Sequence, residues 1–215
     1  MGYWDAVYRH LEERGLDEER ELAGTAWLDP FLHLVGDPKG QALDLGCGAG
    51  ADLLRLAREG WRPVGLDREP RAVELAHKLH GFPVKAASFE DPLPFGDSTF
   101  SLVTSRFALH LLPPGDAVKL FREVHRVLAP GGHLVFAVNS DVHRQRGLQY
   151  DYADAVEQEP GYWFLPSLGF GYLFYTPERA RDLLGAGWEI RHLEDGFLTQ
   201  WNIPKQAVTC VAKRV

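Results

Sequence analysis

Sulfur is scarce in this chain of 215 residues: it has two cysteines and one methionine. So low a thiol count excludes a disulfide scaffold and a cysteine-built metal centre, and it suits a reducing compartment. Cys47 falls in a glycine-rich loop and Cys210 in the last predicted strand. A bond between them would tie down a loop that must admit ligand, so both are expected as free thiols. Apolar runs of membrane-spanning length are missing, and so is an N-terminal order of basic, apolar and small-residue regions, which makes the cytoplasm the expected location, without membrane insertion. Positive charge is also short. Lysine and arginine number 23 against 30 acids, for a formal net charge of −7, and the bases are dispersed among the acids. Phosphate backbones need clustered bases, so nucleic acid is not the expected partner and a small molecule is. His77 and His80 stand three apart on a predicted helix, but no carboxylate or cysteine is spaced to complete a metal set, and no metal site is expected. Repeats and low-complexity tracts are absent. An apolar content of 45% is enough for one domain, residues 1–215, to bury a full core.

Glycine, by contrast, is plentiful at 22 residues, and three fall together in residues 42–50, Ala-Leu-Asp-Leu-Gly-Cys-Gly-Ala-Gly. A short apolar strand here runs straight into a glycine-rich turn and a helix start, the layout of a nucleotide-type cofactor site. Two readings compete. Gly46, Gly48 and Ala51 formally satisfy a dinucleotide fingerprint, and Asp67, about 20 residues further on, would bind a ribose hydroxyl. The acid Asp44, two residues before Gly46, favours the other reading. Pyrophosphate gains nothing from a carboxylate beside it, whereas the ammonium and sulfonium of an amino-acid-derived cofactor do.

The spacing Asp-x-Gly-x-Gly-x-Gly over Asp44, Gly46, Gly48 and Gly50 resembles motif I of the class I S-adenosylmethionine (SAM) methyltransferases. Further segments resemble that family in its own order, over roughly residues 40–140. Val64-Gly65-Leu66-Asp67 is similar to the second strand, which ends in the acid that holds both ribose hydroxyls, with Arg68 beside it. Residues 90–100 are similar to the loop into the fourth strand, residues 106–112 to the segment after it, and residues 127–132, Val-Leu-Ala-Pro-Gly-Gly, to the entry into the fifth. The resemblance implies SAM as cofactor and S-adenosylhomocysteine as product, and it places Asp44, Gly46, Cys47, Gly48, Gly50, Asp67, Arg68, Ser88, Phe89, Ser105 and Arg106 at the cofactor. Ser88 stands where the family often has an acid for the adenine amino group, which leaves Phe89 as a wall for the ring and Glu90 as a displaced acceptor. Thr104-Ser105-Arg106-Phe107 does not resemble the corresponding segment of amino-group DNA methylases, and no Pro-Cys nucleophile of pyrimidine C5 chemistry is present.

Strand and helix patterns alternate. Strands are predicted at 41–45, 62–67, 84–87, 101–105, 133–139, 188–194 and 207–212, and helices at 51–59, 70–79, 115–127 and 177–184. Pro70 and Pro177 suit helix starts, and Thr176 an N-cap. The last two strands leave no room for a crossover helix and so are expected to be antiparallel. The fold class is therefore α/β: a doubly wound, seven-stranded, mostly parallel sheet closed by an antiparallel hairpin, as the class I resemblance also implies.

Residues 141–176 are too long for an ordinary connection and rich in aromatic rings: Tyr150, Tyr152, Tyr162, Trp163, Phe164, Phe170, Tyr172, Phe174 and Tyr175. This segment resembles the family's substrate lid, and about half of its rings are expected around a cavity. Residues 1–40 are expected as a helical cap, with Tyr3, Trp4, Tyr8 and Trp27 as further lid candidates, and residues 177–215 as a final helix and hairpin. His110, just after the fourth strand, is expected at the rim where cofactor and acceptor meet, with His143 a further candidate base; His125 and His133 read as surface residues.

The expected function is SAM-dependent methyl transfer by in-line displacement to a small molecule, with His110, Tyr150 and Tyr175 the candidate proton acceptors. The resemblance extends to the ubiquinone-biosynthesis type and, through Trp-Asp-x-x-Tyr at residues 4–8, to the tellurite and thiopurine type. From other classes, a nicotinamide-dependent oxidoreductase and a non-catalytic SAM-binding regulator are the alternatives.

Overall fold

At the centre is β1 (Gln41–Leu45), whose last four residues are fully covered, as a strand flanked by two parallel neighbours and packed on both faces must be. The computed structural model describes residues 2–15, 25–36, 39–146, 154–200 and 203–215. The neighbours are β2 (Arg62–Asp67) and β4 (Phe100–Arg106), both parallel to β1. With β3 (Val84–Ala86), β5 (Leu128–Asn139), β9 (Trp188–Gln200) and β10 (Ile203–Arg214) they form a seven-stranded sheet in the order β3-β2-β1-β4-β5-β10-β9. Strand order reverses between β1 and β4, which opens a crevice at their carboxyl ends, where ligands of such sheets bind. β10 runs antiparallel to both β5 and β9. The expected doubly wound sheet with a closing hairpin is thus present.

Helix α1 (Tyr3–Glu13) lies beside the sheet's carboxyl edge, and α2 (Ala51–Arg58), α3 (Pro70–His80), α4 (Pro114–Val127), α5 (Asp141–Arg146) and α6 (Pro177–Leu184) follow in the chain. Thr176 caps α6: its hydroxyl accepts from the Arg179 amide at 3.2 Å, and Pro177 supplies the first turn. The main core packs α4, through Leu120, Phe121 and Val124, against Leu43, Val103 and Phe136 of the sheet. On the opposite face a short 3-10 segment, Ala26–Leu34, buries Trp27, Leu28 and Phe31 against Leu56, Trp61 and Val135, so Trp27 serves the core.

Three features differ from expectation. The hairpin is longer, because β9 runs to Gln200 and β10 starts at Ile203; residues 203–206 pair with β9 alone, so Pro204 costs the sheet no second ladder. His133 is buried in β5, where burial lowers its pKa, and His125 is half-buried with its ring 5.3 Å from that of Trp188. Most of the aromatic segment folds into a second, three-stranded antiparallel sheet of β6 (Val156–Glu159), β7 (Tyr162–Leu165) and β8 (Phe170–Leu173). Its Leu165, Tyr172 and Phe174 form a satellite core, while Tyr175 joins the main one. Among the described residues, no helix is long and apolar enough to cross a membrane.

Candidate functional site

A cavity opens at the carboxyl edge of β1, β2 and β4. It encloses about 1060 Å³ of empty space, part of it open to solvent. Its floor is the loop of residues 46–49, its sides carry Asp52, Asp67, Phe89 and Arg106, and Trp4 and Tyr8 of α1 cover it. Ion pairs from Arg71 to Asp5 (2.8 Å) and Glu12 (3.1 Å) hold α1 on α3.

The floor is made of glycine for two separate reasons. Gly46 and Gly48 have φ of +74° and +54°, in the left-handed region that side chains disfavour. A Cβ on Gly46 would also lie 2.4 Å from that of Ala108, and one on Gly48 2.9 Å from the Tyr8 hydroxyl. The Gly46 and Cys47 amides both donate to the Leu66 carbonyl, at 2.8 and 3.2 Å, which pins the loop to the end of β2.

Asp67 ends β2 on the cavity wall. Its two carboxylate oxygens accept from the Gly48 and Glu69 amides, both at 2.9 Å. Burial raises its pKa, and those backbone donors act against the rise. A carboxylate has about four acceptor positions, so lone pairs remain for hydroxyl groups of a ligand. Arg68 and Ser88 share this wall: the Arg68 guanidinium stands 3.8 Å from Glu90, and the Ser88 hydroxyl accepts from the Glu90 amide at 3.2 Å. Cys47 also reaches the wall, as a free thiol whose pKa burial pushes well up.

Asp44, Gly50 and Ser105 lie behind the wall. The Asp44 carboxylate is buried and accepts from the Thr104 hydroxyl at 2.8 Å; burial first, then Asp52, pushes its pKa well up. Ser105 donates to the Leu45 carbonyl at 2.8 Å, and Gly50 starts α2 against His80 and Ala76. The acid that faces the cavity instead is Asp52, which accepts from the Trp27 indole at 3.0 Å and from Arg106 at 2.8 Å. Sequence reasoning missed it, although an acid in the first turn of the helix after a glycine loop is itself a signal.

The candidate proton acceptors are set deeper. His110 is 3% exposed, with its ring 6.1 Å from that of Phe107 and 5.1 Å from that of Tyr172. Burial pushes its pKa well down, with Lys205 and His143 adding to the effect. It does not line the cavity, whose wall takes Phe107, Ala108, Leu111 and Leu112 from this stretch of chain. Tyr175 is fully buried in the main core and does not line the cavity; its phenol is pushed up by burial. His143 is likewise buried, and its Nδ1 accepts from the Gln206 amide at 3.2 Å. Tyr150 and Tyr152 lie outside the described residues. Residues 154–176 supply none of the cavity's walls; their link to it is Phe170, whose ring lies 5.3 Å from Tyr3 and 6.2 Å from Trp4. Tyr3 thus supports the cover, and Trp4 and Tyr8 form it.

Residues 42–132 match the family model described as a methyltransferase domain. An uncharacterized methyltransferase of Synechocystis sp. is 37% identical over 115 residues, which is 54% of this chain and 53% of that one. A demethylmenaquinone methyltransferase of Lysinibacillus sphaericus is 32% identical over 50% of this chain and 47% of its own. The crystal structure of a SAM-dependent methyltransferase from Methanosarcina mazei shares the fold, with a TM-score of 0.74 at 22% identity over 86% of this chain and 97% of that one. Residues 42–132 thus resemble a methyltransferase domain, and the fold is the one seen in SAM-dependent methyltransferases. The chain spans about half the length of the curated relatives it matches.

The residues of the cavity fit the SAM cofactor of those proteins. A cradle that a Cβ on Gly46 or Gly48 would fill lies beside an acid whose remaining lone pairs suit a ribose, and the cavity has room for a nucleoside with an amino-acid tail.

Proposed function

We propose that this chain transfers a methyl group from SAM to a small-molecule acceptor in the cytoplasm. The observation that carries the reading is the meeting of the glycine floor with Asp67 under the aromatic cover of Trp4 and Tyr8. Held by Asp67 and the glycine floor, SAM would supply an electrophilic methyl group for transfer to the acceptor, with S-adenosylhomocysteine as the other product.

The protein's part is alignment and exclusion of water. Asp67 accepts from the ribose hydroxyls, the backbone of Gly46 and Gly48 permits close approach, and Phe89 and Tyr8 wall the adenosine. Asp52 presents its charge to the ammonium end, with Asp44 behind the loop holding the strand end through Thr104. Trp4 and Tyr8 keep solvent off the reacting groups. A small acceptor is favoured by the acidic net charge of −7 and by a concave cavity rather than an extended basic face. The name of the Lysinibacillus relative, a demethylmenaquinone methyltransferase, agrees with an acceptor of that kind.

Titration calorimetry with S-adenosylhomocysteine, and with NAD as comparator, tests the reading. Asp67→Asn is expected to weaken S-adenosylhomocysteine binding by about 5- to 150-fold, the equivalent of about 1–3 kcal/mol for a charge-assisted hydrogen bond. Thermal unfolding of the variant checks that the loop survives. Unchanged affinity would remove Asp67 from the site, and binding of NAD in place of S-adenosylhomocysteine would overturn the reading.

A further inference from the structure

Lys205 stands at the start of β10, at the same sheet edge as the cavity, and is 5% exposed. Among the described residues its ammonium meets no carboxylate; its neighbour is the face of the Phe107 ring, 4.5 Å away. A buried cation without a counter-ion is costly, and such groups persist where a ligand completes them. Burial, with Arg106 adding to it, brings its pKa down to about 7.

Close by is a second unmet donor. The Asn139 side-chain amide nitrogen lies 3.4 Å from His110 Nε2; in the tautomer in which Nε2 accepts from it, the imidazole proton is on Nδ1. Nδ1 is buried with no hydrogen-bond partner among the described residues. Both groups lie against Phe107, a bulky residue with φ of +52° that forms part of the cavity wall. Non-glycine residues in that region are strained, and strain of this kind gathers at clamps and switches. Phe107 is therefore the side chain between the cofactor cavity and these two groups, in a cluster with the rings of His110 and Tyr172.

We propose that Lys205 and His110, screened by Phe107, bind the carboxylate of an aromatic acid and so hold the methyl acceptor beside the cofactor. This rests on the methyl-transfer reading of the cavity and adds the acceptor's chemical class to it. The carboxylate accepts from both donors and supplies the missing counter-charge, while the arene packs among the surrounding rings.

The test uses the whole chain saturated with S-adenosylhomocysteine and titrated with benzoate and with benzamide, its neutral isostere. Benzoate is expected to bind about tenfold tighter or more, as a charged partner for a desolvated ammonium should. Lys205→Met is expected to abolish that preference while S-adenosylhomocysteine affinity holds, and Lys205→Gln serves as the second variant. Equal binding of the two probes by the wild-type chain, no binding of benzoate, or a preference that survives loss of the ammonium would each overturn the proposal and leave the cofactor reading standing. Failure of S-adenosylhomocysteine itself to bind in the first titration would overturn the cofactor reading, and this inference with it.

Discussion

Gly46→Ala is expected to destabilise the fold by about 2–5 kcal/mol and to abolish detectable S-adenosylhomocysteine binding. Two costs combine. The residue has φ of +74°, where an L side chain costs about 1–2 kcal/mol. Its new methyl would also fall 2.4 Å from the Ala108 Cβ and 3.3 Å from the tip of Phe89, and neither Ala108 nor the loop backbone can yield without moving the cavity wall. Overpacking of this kind costs a further 1–3 kcal/mol or so. Gly81→Ala is the control for backbone conformation alone, since Gly81 has φ of +68° with nothing within 4 Å of its Cβ position. Urea unfolding of both variants checks the prediction. Equal losses would mean that the close approach at Gly46 contributes nothing.

Lys205→Met is expected to act in the opposite direction and stabilise the chain by about 1–4 kcal/mol at pH 7, the range seen when buried charges give way to apolar residues of similar volume. The sign follows from linkage. The ordinary lysine pKa of 10.5 holds in the unfolded chain, whereas the folded chain brings Lys205 down to about 7. Between those values the unfolded state binds the extra proton, so this group's contribution is complete above about 10.5 and is lost as pH falls toward about 7. Wild-type stability should therefore gain on that of Lys205→Met between pH 7 and about 9.5, and the difference should level off below the folded pKa. A variant no more stable than wild type at pH 7, or a difference independent of pH across that window, would mean that Lys205 is not held as a desolvated cation. The same variant that gains stability is expected to lose benzoate discrimination, the opposition found where a site tolerates an unfavourable charge for the sake of a ligand.

What was legible in the chain was what its local chemistry decides. An apolar run ending in Asp44 and three glycines, a second run ending in Asp67, and the pairing of Thr176 with Pro177 are each settled within a few residues, and those strands and that helix fall where the pattern puts them. The closing hairpin was legible from lack of room for a helix, although its length was not, because residues 195–200 and 203–206 pair by backbone and carry no alternation of their own. Side chains that converge from distant elements were not legible. Asp52 becomes part of the site because Trp27 and Arg106 reach it from elsewhere in the chain, and Lys205 because β10 ends its pairing with β5 at Ala207, just beside Phe107. The aromatic segment announced burial without saying against what. Tyr175 goes to the main core and Tyr172 to a satellite one, while the cavity takes its cover from Trp4 and Tyr8. Asp44 reads as a ligand acid from its charge, its place before the glycines and the motif I resemblance, whereas its hydroxyl partner, Thr104, belongs to a strand 60 residues away.

The most direct measurement is a crystal structure of the chain grown with S-adenosylhomocysteine. The account predicts the ribose hydroxyls on Asp67, the adenine between Phe89 and Tyr8, and the homocysteine tail across the floor formed by Gly46 and Gly48, toward Asp52. Density for the compound away from that floor, or a ribose without contact to Asp67, would contradict it.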